Sequence, residues 1–216
     1  MQTSFLVIDD FFDNPKAARD VALGLDYPDP GPKVFYPGRN SRQSMAWPRN
    51  EQLFSRVIGE PVVGLHKWSH GCARVTLASD LRRGRIHVDP GCTWAGIVYL
   101  TLDEHAAGGT DFFRNRRYGT DRAPLNDEEA QRIYGKATPR EAITEILTLD
   151  NASDPDAWEL THTMPMKFNR CVLFRPWFWH SSGDGFGDAI ENARLVVLLF
   201  FAPGPDAVGA ITVPSL

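Results

Sequence analysis

Segments of strand length recur along the chain, and helical patterns are confined to three places. The strand-like segments are rich in β-branched and aromatic residues, and clusters of Gly, Pro or Asp separate most of them. Hydrophobic positions at helical spacing occur from Pro15 to about Leu23, around Glu51 to Ile58, and within residues 115–157. The predicted strands are 4–8, 72–79, 84–88, 93–102, 109–113, 157–163, 168–175 and 194–201.

Local signals refine this outline. Asn14 and Pro15 supply an N-cap and a first-turn proline for the first helix. The Pro-, Gly- and Asn-rich stretch from Tyr27 to Trp47 predicts a surface loop. Short strands at this spacing are typical of a sandwich or jelly roll. Because no repeat or linker is visible, we predict a single domain over residues 1–216, with a helical insertion at about 115–157 between two strands.

Composition narrows the classes of partner. The chain has 216 residues, of which 43% are hydrophobic, so it is long enough for one sizeable core. A formal net charge of −4 argues against nucleic acid or an anionic membrane as the partner and favours a small-molecule or peptidyl substrate. The sequence shows neither a secretory signal nor an apolar run of membrane-spanning length, and its three cysteines suggest no disulfide framework. We therefore predict a cytoplasmic protein; the pattern does not determine its oligomeric state.

The triplet His87-Val88-Asp89 is the main candidate for chemistry. In an extended strand, residues two apart point to the same face, with Cα atoms about 6.6 Å apart, so both side chains can reach one ion. Pro90 and Gly91 then end the strand at a rim. A third ligand from an opposing strand is expected, and His180 in PWFWHSS is the natural candidate. Two imidazoles and one carboxylate are the facial triad of non-haem Fe(II) oxygenases.

The order of the surrounding motifs strengthens this interpretation. After His-x-Asp come an apolar strand ending in Tyr99-Leu100, a Gly108-Gly109-Thr110 turn, the strand FNRCVLF, the distal His180, and Arg194 at the start of LVVLLFF. In this order the chain resembles the 2-oxoglutarate and Fe(II)-dependent dioxygenases, and within them the prolyl 4-hydroxylase-like branch. The loop between His180 and Arg194 is longer than is usual in that family.

The resemblance implies a double-stranded β-helix, that is, a jelly-roll, cupin-like fold, in which His87, Asp89 and His180 bind Fe(II). It also implies that Arg194 grips the distal carboxylate of the cosubstrate 2-oxoglutarate through its planar guanidinium fork. Tyr99 is a second candidate for that carboxylate, and Thr110 a third unless it only completes the turn. The implied reaction couples oxidative decarboxylation of 2-oxoglutarate to hydroxylation of an unactivated C–H bond of a small-molecule, amino-acid or peptidyl substrate.

Two other functions stay open on the residues alone. One is a non-catalytic jelly-roll protein that binds a ligand, and the other is a cupin-type metal enzyme that does not use 2-oxoglutarate. Arg194 could equally cap a strand at the surface and pair with Glu191 or Asp188.

Some polar and aromatic residues outside the triad are further candidates. Arg39 and Arg42 are candidates for contacting an anionic group of the substrate. Trp177 and Trp179 could either contact substrate or pack in the core. His66 and His70, four apart, are interpreted as a solvated pair because no further zinc ligand follows them at a recognisable spacing. The segment from Asn126 to Glu129 is interpreted as the charged first turn of a helix.

Overall fold

A computed structural model describes residues 3–31, 36–45, 50–80, 86–149 and 154–205. It contains ten strands and four α-helical segments in these residues, together with a 3₁₀ turn at His66–Trp68 and a π-helical turn at Ala130–Tyr134. The strands are β1 (Phe5–Ile8), β2 (Arg39–Ser44), β3 (Val62–Gly64), β4 (Cys72–Thr76), β5 (Trp94–Tyr99), β6 (Gly109–Asn115), β7 (Trp158–Pro165), β8 (Cys171–Phe174), β9 (His180–Ser181) and β10 (Arg194–Pro203). The helices are α1 (Pro15–Leu23), α2 (Asn50–Ile58), α3 (Asp127–Glu129) and α4 (Pro139–Leu149).

The strands form two antiparallel sheets. The larger sheet has seven strands in the order β1-β8-β5-β10-β4-β2, with β3 also paired to β10. The smaller sheet has three strands in the order β7-β6-β9. The fold is therefore mainly β with a few flanking helices, as the sequence pattern predicts.

Alternation along β10 gives the large sheet two different faces. Leu195, Val197, Leu199 and Phe201 enter a core that also contains residues of α1 and α2. Their neighbours on the strand turn to the opposite face, because successive side chains of a strand point in opposite directions. That opposite face packs towards the small sheet, where Phe112 joins Tyr99, Ile97, Val172 and Leu198 in a second core.

The helical insertion joins two strands that are direct neighbours. β6 and β7 pair antiparallel from Gly109↔Pro165 to Asn115↔Trp158, and α3, the π-helical turn and α4 lie between them in the sequence. Asn126 caps α3 by accepting a hydrogen bond from the Glu129 N–H, and the charged first turn expected at Asn126 to Glu129 is present. The insertion has a core of its own, formed by Tyr134, Ala142, Ile143 and Ile146 with Trp158, Trp177 and Trp179. Helical segments thus lie within the range expected for an insertion, 115–157, of which residues 150–153 lie outside the described residues.

Helix α1 begins as predicted, with Asn14 Oδ1 accepting from Ala17 N–H at 3.2 Å. The surface loop predicted from Tyr27 to Trp47 is wrong in part, because Arg39–Ser44 form β2 at the edge of the large sheet. Residues 32–35 and 46–47 of that loop lie outside the described residues. The strand predicted at 84–88 is also wrong for its described part, residues 86–88, where His87 makes only an isolated bridge. No helix in the described part of the chain has the length and apolarity needed to cross a membrane.

Candidate metal centre

His87, Asp89 and His180 meet at one end of the two sheets. His87 and His180 form an isolated antiparallel bridge in which the His87 N–H donates to the His180 carbonyl at 2.9 Å and the His180 N–H donates to the His87 carbonyl at 3.1 Å. The Asp89 N–H donates to the Pro176 carbonyl at 3.0 Å, which holds this carboxylate beside the bridge. Main-chain hydrogen bonds therefore hold the backbone at all three residues.

The three side chains converge closely enough to share one ion. One ligand atom from each residue lies within 4.8 Å of the others. Asp89 Oδ2 is 3.2 Å from His180 Nε2, and Asp89 Oδ1 is 3.6 Å from His87 Nε2. Neighbouring ligands on an ion with bonds of about 2.1 Å are roughly 3 Å apart, so these separations suit a common metal after small adjustments. In the part of the chain that the structure describes, no fourth His, Cys, Asp or Glu joins this group.

Hydrogen bonding and charge prepare two of these groups for a cation. The Nδ1–H of His180 donates to the Phe178 carbonyl at 2.8 Å, which leaves Nε2 to face Asp89. Burial alone would raise the pKa of Asp89, but the two imidazoles and Arg74 outweigh it, and the pKa lies below its usual value. The Asp89 side chain is 16% exposed and that of His87 is 42% exposed, so the group opens on one side.

The open side faces a cavity of about 390 Å³. Its apolar walls come from alternate residues of the large sheet: Ala95, Ile97, Phe174, Val196, Leu198 and Phe200. Thr110 and Ser182 line the side of the small sheet, and Trp68, Ser69, Tyr36 and Asn40 line the rest together with the triad. A volume in this range with few converging polar groups is typical of a small-molecule site.

Arg194 lies in this cavity and is only 3% exposed. Its Nε donates to the Ser182 carbonyl at 2.9 Å and its Nη2 donates to the Gly109 carbonyl at 3.1 Å. Its Nη1 is buried without an acceptor among the described residues, and no carboxylate there forms an ion pair with this guanidinium. Arg194 therefore does not pair with Glu191 or Asp188 at the surface, which was the other interpretation of this residue. Burial lowers its pKa.

Tyr99 and Thr110 lie next to Arg194, but in different environments. Tyr99 is fully buried, and its ring centroid is 5.7 Å from the Arg194 guanidinium carbon. Its hydroxyl is 2.9 Å from Thr110 Oγ1 and can donate to the Met164 carbonyl at 3.2 Å. Thr110 lines the cavity, whereas Tyr99 does not. The Tyr99 hydroxyl thus contacts Thr110, which in turn faces the cavity.

The cavity contains one cationic residue that the sequence patterns did not single out. Arg74 lies on β4 and lines the cavity with its strand neighbour Thr76. Side-chain alternation gives a signal for it, because Arg74 and Thr76 alternate along β4 with Ala73 and Val75, which are fully buried in the core. A charged residue on the inward face of a central strand needs a partner or a function.

Several of the other candidates lie away from the cavity. Arg42 is exposed and pairs with Asp26 at 2.7 Å, and Arg39 does not line the cavity either. Trp177 and Trp179 are buried under the insertion, which favours the packing interpretation of both.

The pair His66 and His70 is not solvated as a whole. His70 is 1% exposed and accepts a hydrogen bond from the Phe200 N–H, because the short turn before it folds the ring against β10. The interpretation of His70 as a solvated residue is therefore wrong.

The architecture is similar to that of one solved structure in particular. HygX from Streptomyces hygroscopicus, crystallised with nickel, 2-oxoglutarate and hygromycin B bound, is similar over 100% of this chain and 94% of its own, with a TM-score of 0.51 and 14% identity. HygX with iron bound matches with a TM-score of 0.44 and 13% identity, over 100% of this chain and 93% of that one. The Fe(II)/α-ketoglutarate-dependent dioxygenase TqaL matches with a TM-score of 0.43 and 14% identity, over 99% of this chain and 88% of its own. At such identity the first of these likenesses establishes a shared mainly β architecture.

The sequence family is defined separately. The chain belongs to a family of unknown function, DUF6445, which it matches over residues 1–201. No curated protein matches it in sequence.

Proposed function

We propose that this protein is an Fe(II)- and 2-oxoglutarate-dependent oxygenase that hydroxylates an unactivated C–H bond of a small-molecule, amino-acid or peptidyl substrate. One observation carries the proposal: a group of two imidazoles and one carboxylate shares a cavity with the buried Arg194, whose Nη1 has no acceptor among the described residues. The first feature suits a divalent metal, and the second suits an organic carboxylate.

The proposed metal ligands are His87, Asp89 and His180. Two neutral imidazoles and one carboxylate form the donor set that suits Fe(II) while leaving other coordination positions open. Asp89 supplies the negative charge and His180 is oriented by its bond to the Phe178 carbonyl. Bound iron would supply the redox chemistry with O₂ and the keto acid, while the protein positions the reactants.

Arg194 is the proposed anchor for the distal carboxylate of 2-oxoglutarate. A buried guanidinium nitrogen without an acceptor is costly, and a carboxylate oxygen would satisfy it. The carbonyls of Ser182 and Gly109 accept from the other two nitrogens, Nε and Nη2, so the guanidinium is fixed before any ligand arrives. Thr110 lines the cavity nearby, and when the Tyr99 hydroxyl donates to Thr110 Oγ1 the Thr110 hydroxyl can donate to the same carboxylate.

The apolar walls of the cavity are proposed to exclude water and to contact the substrate. Ile97, Val196 and Leu198 exclude water around the reacting groups and give the substrate an apolar surface to pack on. We further propose that the two sheets form a double-stranded β-helix, an assignment that the likeness to HygX supports. The order of the His-x-Asp, Gly-Gly-Thr and distal histidine motifs supports a place near the prolyl 4-hydroxylase-like branch.

Turnover of the cosubstrate separates this proposal from a protein that only binds a ligand. Purified protein with Fe(II), ascorbate and 2-oxoglutarate in air should form succinate slowly without substrate and faster with an accepted organic substrate. The Asp89→Ala variant should form none, because the carboxylate ligand is lost. If wild-type protein forms no more succinate than Asp89→Ala across a broad set of candidate substrates, the proposed activity is wrong.

A further inference from the structure

Arg74 is a second positive charge in the cavity. Its Nε donates to Asn40 Oδ1 at 2.6 Å, and its guanidinium carbon lies 3.9 Å from the centroid of the Tyr36 ring. Asn40 is held in turn by donating to Ser69 Oγ at 3.2 Å. The Arg74 guanidinium is therefore fixed on one edge by an amide and on one face by an aromatic ring, in the manner of a pre-organised binding group.

The other edge of this guanidinium is free for a ligand. Among the described residues, no acceptor bonds Nη1 or Nη2 of Arg74, and no carboxylate forms an ion pair with it. Neither nitrogen is sealed from the cavity, since Arg74 lines it and is only half-buried. Burial and the nearby Arg194 lower the pKa of Arg74 to about 10, although Tyr36 and Asp89 oppose them, so the group keeps its charge at neutral pH.

The register of the large sheet separates Arg74 from Arg194. Val196 pairs with Arg74 on β4, and Arg194 pairs with Thr76. Arg74 and Arg194 are therefore diagonal neighbours on the same face, with Cα atoms about 7 to 8 Å apart. Two arginines at this separation can serve two different anions.

The charge balance of the loaded cavity favours a second anion. Once Fe(II) and the 2-oxoglutarate dianion are bound, their charges cancel, and those of Asp89 and Arg194 also cancel. The charge of Arg74 is then left without a counterion in a partly desolvated site, which is unfavourable unless an anion joins it. The apolar surface of Leu198 and Phe200 lines the same cavity and can receive the uncharged part of such a ligand.

We propose that Arg74 binds an anionic group of the substrate, so that the substrate is a small organic acid with a carboxylate or phosphate beside an apolar body. The inference rests on the proposed function, because it assigns the cosubstrate to Arg194. It selects organic acids from the wider set of small-molecule, amino-acid and peptidyl substrates.

Three probes of similar shape test this assignment: benzoate, phenyl phosphate and benzamide. Their binding is measured by anaerobic equilibrium dialysis against protein loaded with Fe(II) and 2-oxoglutarate. We expect at least one of the two anions to bind wild-type protein about tenfold or more tightly than benzamide, and Arg74→Gln to abolish that preference. Arg74→Lys, which keeps the charge but not the fork, should retain the preference with weaker binding. The matched control Arg42→Gln removes an exposed arginine from the adjacent strand and should behave as wild type.

The affinity for 2-oxoglutarate, measured in the same variants, completes the test. Arg74→Gln should change it less than about twofold. The proposal is overturned if benzamide binds wild-type protein as tightly as both anions do, or if Arg74→Gln keeps the preference for the anion. It is also overturned if Arg74→Gln weakens the binding of 2-oxoglutarate as much as Arg194→Gln does. If wild-type protein binds no Fe(II) or 2-oxoglutarate, the proposed oxygenase function fails separately. The same dialysis on metal-free protein, with Arg74→Gln and Arg194→Gln compared, then decides whether Arg74 binds anions.

Discussion

His87 and His180 exchange two main-chain hydrogen bonds, of 2.9 and 3.1 Å, and their ring centroids lie 4.3 Å apart. Two residues far apart in the sequence thus form one hydrogen-bonded antiparallel pair, in which side chains share a face. The bridge does not depend on the imidazoles themselves. Either ring can be removed without breaking the main-chain contact that positions the other.

This relationship makes the metal ligands separable from the fold. We predict that His87→Ala, Asp89→Ala and His180→Ala each weaken Fe(II) binding by at least about 100-fold, because each removes one of three ligands. Anaerobic dialysis with metal analysis measures the loss, and circular dichroism should show little change in secondary structure. His105→Ala, at an exposed histidine outside the site, is the matched control and should bind Fe(II) as wild type does. Stoichiometric binding by all three alanine variants would contradict the assignment.

Substitution of Arg194 should weaken the binding of 2-oxoglutarate and leave the binding of Fe(II) nearly unchanged. Replacing it by Gln leaves a bound carboxylate without its cation, a change that typically costs about 2 to 5 kcal/mol in a buried site. We therefore predict that Arg194→Gln lowers the affinity for 2-oxoglutarate by at least about 30-fold and changes the affinity for Fe(II) by less than about threefold. Calorimetric titrations of Fe(II)-loaded protein under nitrogen compare this variant with Arg42→Gln. An unchanged affinity for 2-oxoglutarate in Arg194→Gln would show that the cosubstrate, if bound, lies elsewhere.

His70 should make the stability of the fold depend on pH. Burial, together with the nearby His66, lowers its pKa to about 4, against about 6.5 in an unfolded chain, while Glu51 opposes the shift. Its Nδ1 accepts from the Phe200 N–H at 3.0 Å, and protonation would remove that acceptor. The unfolded state therefore binds the proton more readily, and the free energy of unfolding should fall by up to about 3 kcal/mol as the pH drops from about 6.5 to about 4.

The variant His70→Asn isolates this contribution. An asparagine Oδ1 can take the place of Nδ1 as the acceptor for Phe200 but does not titrate. Urea unfolding at a series of pH values should show a flatter pH dependence for His70→Asn than for wild type or His105→Asn. Parallel curves for all three proteins would mean that His70 is not held neutral in the folded state.

Asn169 should be important for docking the amino-terminal segment. It has a φ of 63°, its Oδ1 accepts from the Phe12 N–H at 2.8 Å, and its Nδ2 donates to the Phe12 carbonyl at 3.0 Å. We predict that Asn169→Ala lowers the free energy of unfolding by about 2 to 4 kcal/mol, from two lost hydrogen bonds and a left-handed conformation that alanine disfavours. Asn169→Gly, which accepts that conformation, should be less destabilised by about 1 kcal/mol. Chemical denaturation measures both, and a loss below about 0.5 kcal/mol in Asn169→Ala would contradict this role.

Long, strongly patterned elements of the fold could be predicted from sequence. The strand predicted at 194–201 lies within β10, and the capped start of α1 and the helical segments between β6 and β7 follow from local signals. The convergence of His87, Asp89 and His180 is expected from the resemblance to a known family, although residues 86–88 do not form the strand that the period-two geometry assumes.

The elements that sequence patterns missed depend on tertiary pairing. β2 contains the polar run Arg39–Ser44, which carries no strand pattern and is stabilised by pairing with β4. β9 has only two residues, and the bridge at His87 has one, so neither leaves a period in the sequence. To predict that Arg74 lies in the cavity, one must know that β4 pairs with β10, and no local sequence signal indicates this pairing. Side-chain alternation indicates that Arg74 and Val75 lie on opposite faces of the sheet, but it does not indicate which face lines a cavity.

The central claim is that one cavity binds both Fe(II) and 2-oxoglutarate. Its most direct test is an anaerobic spectroscopic titration of wild-type protein with Fe(II), with 2-oxoglutarate, and with both. We predict a weak visible charge-transfer band only when both are present, saturating at one equivalent of each, and its absence in His87→Ala. A wild-type protein that shows no such band while binding Fe(II) would contradict the claim.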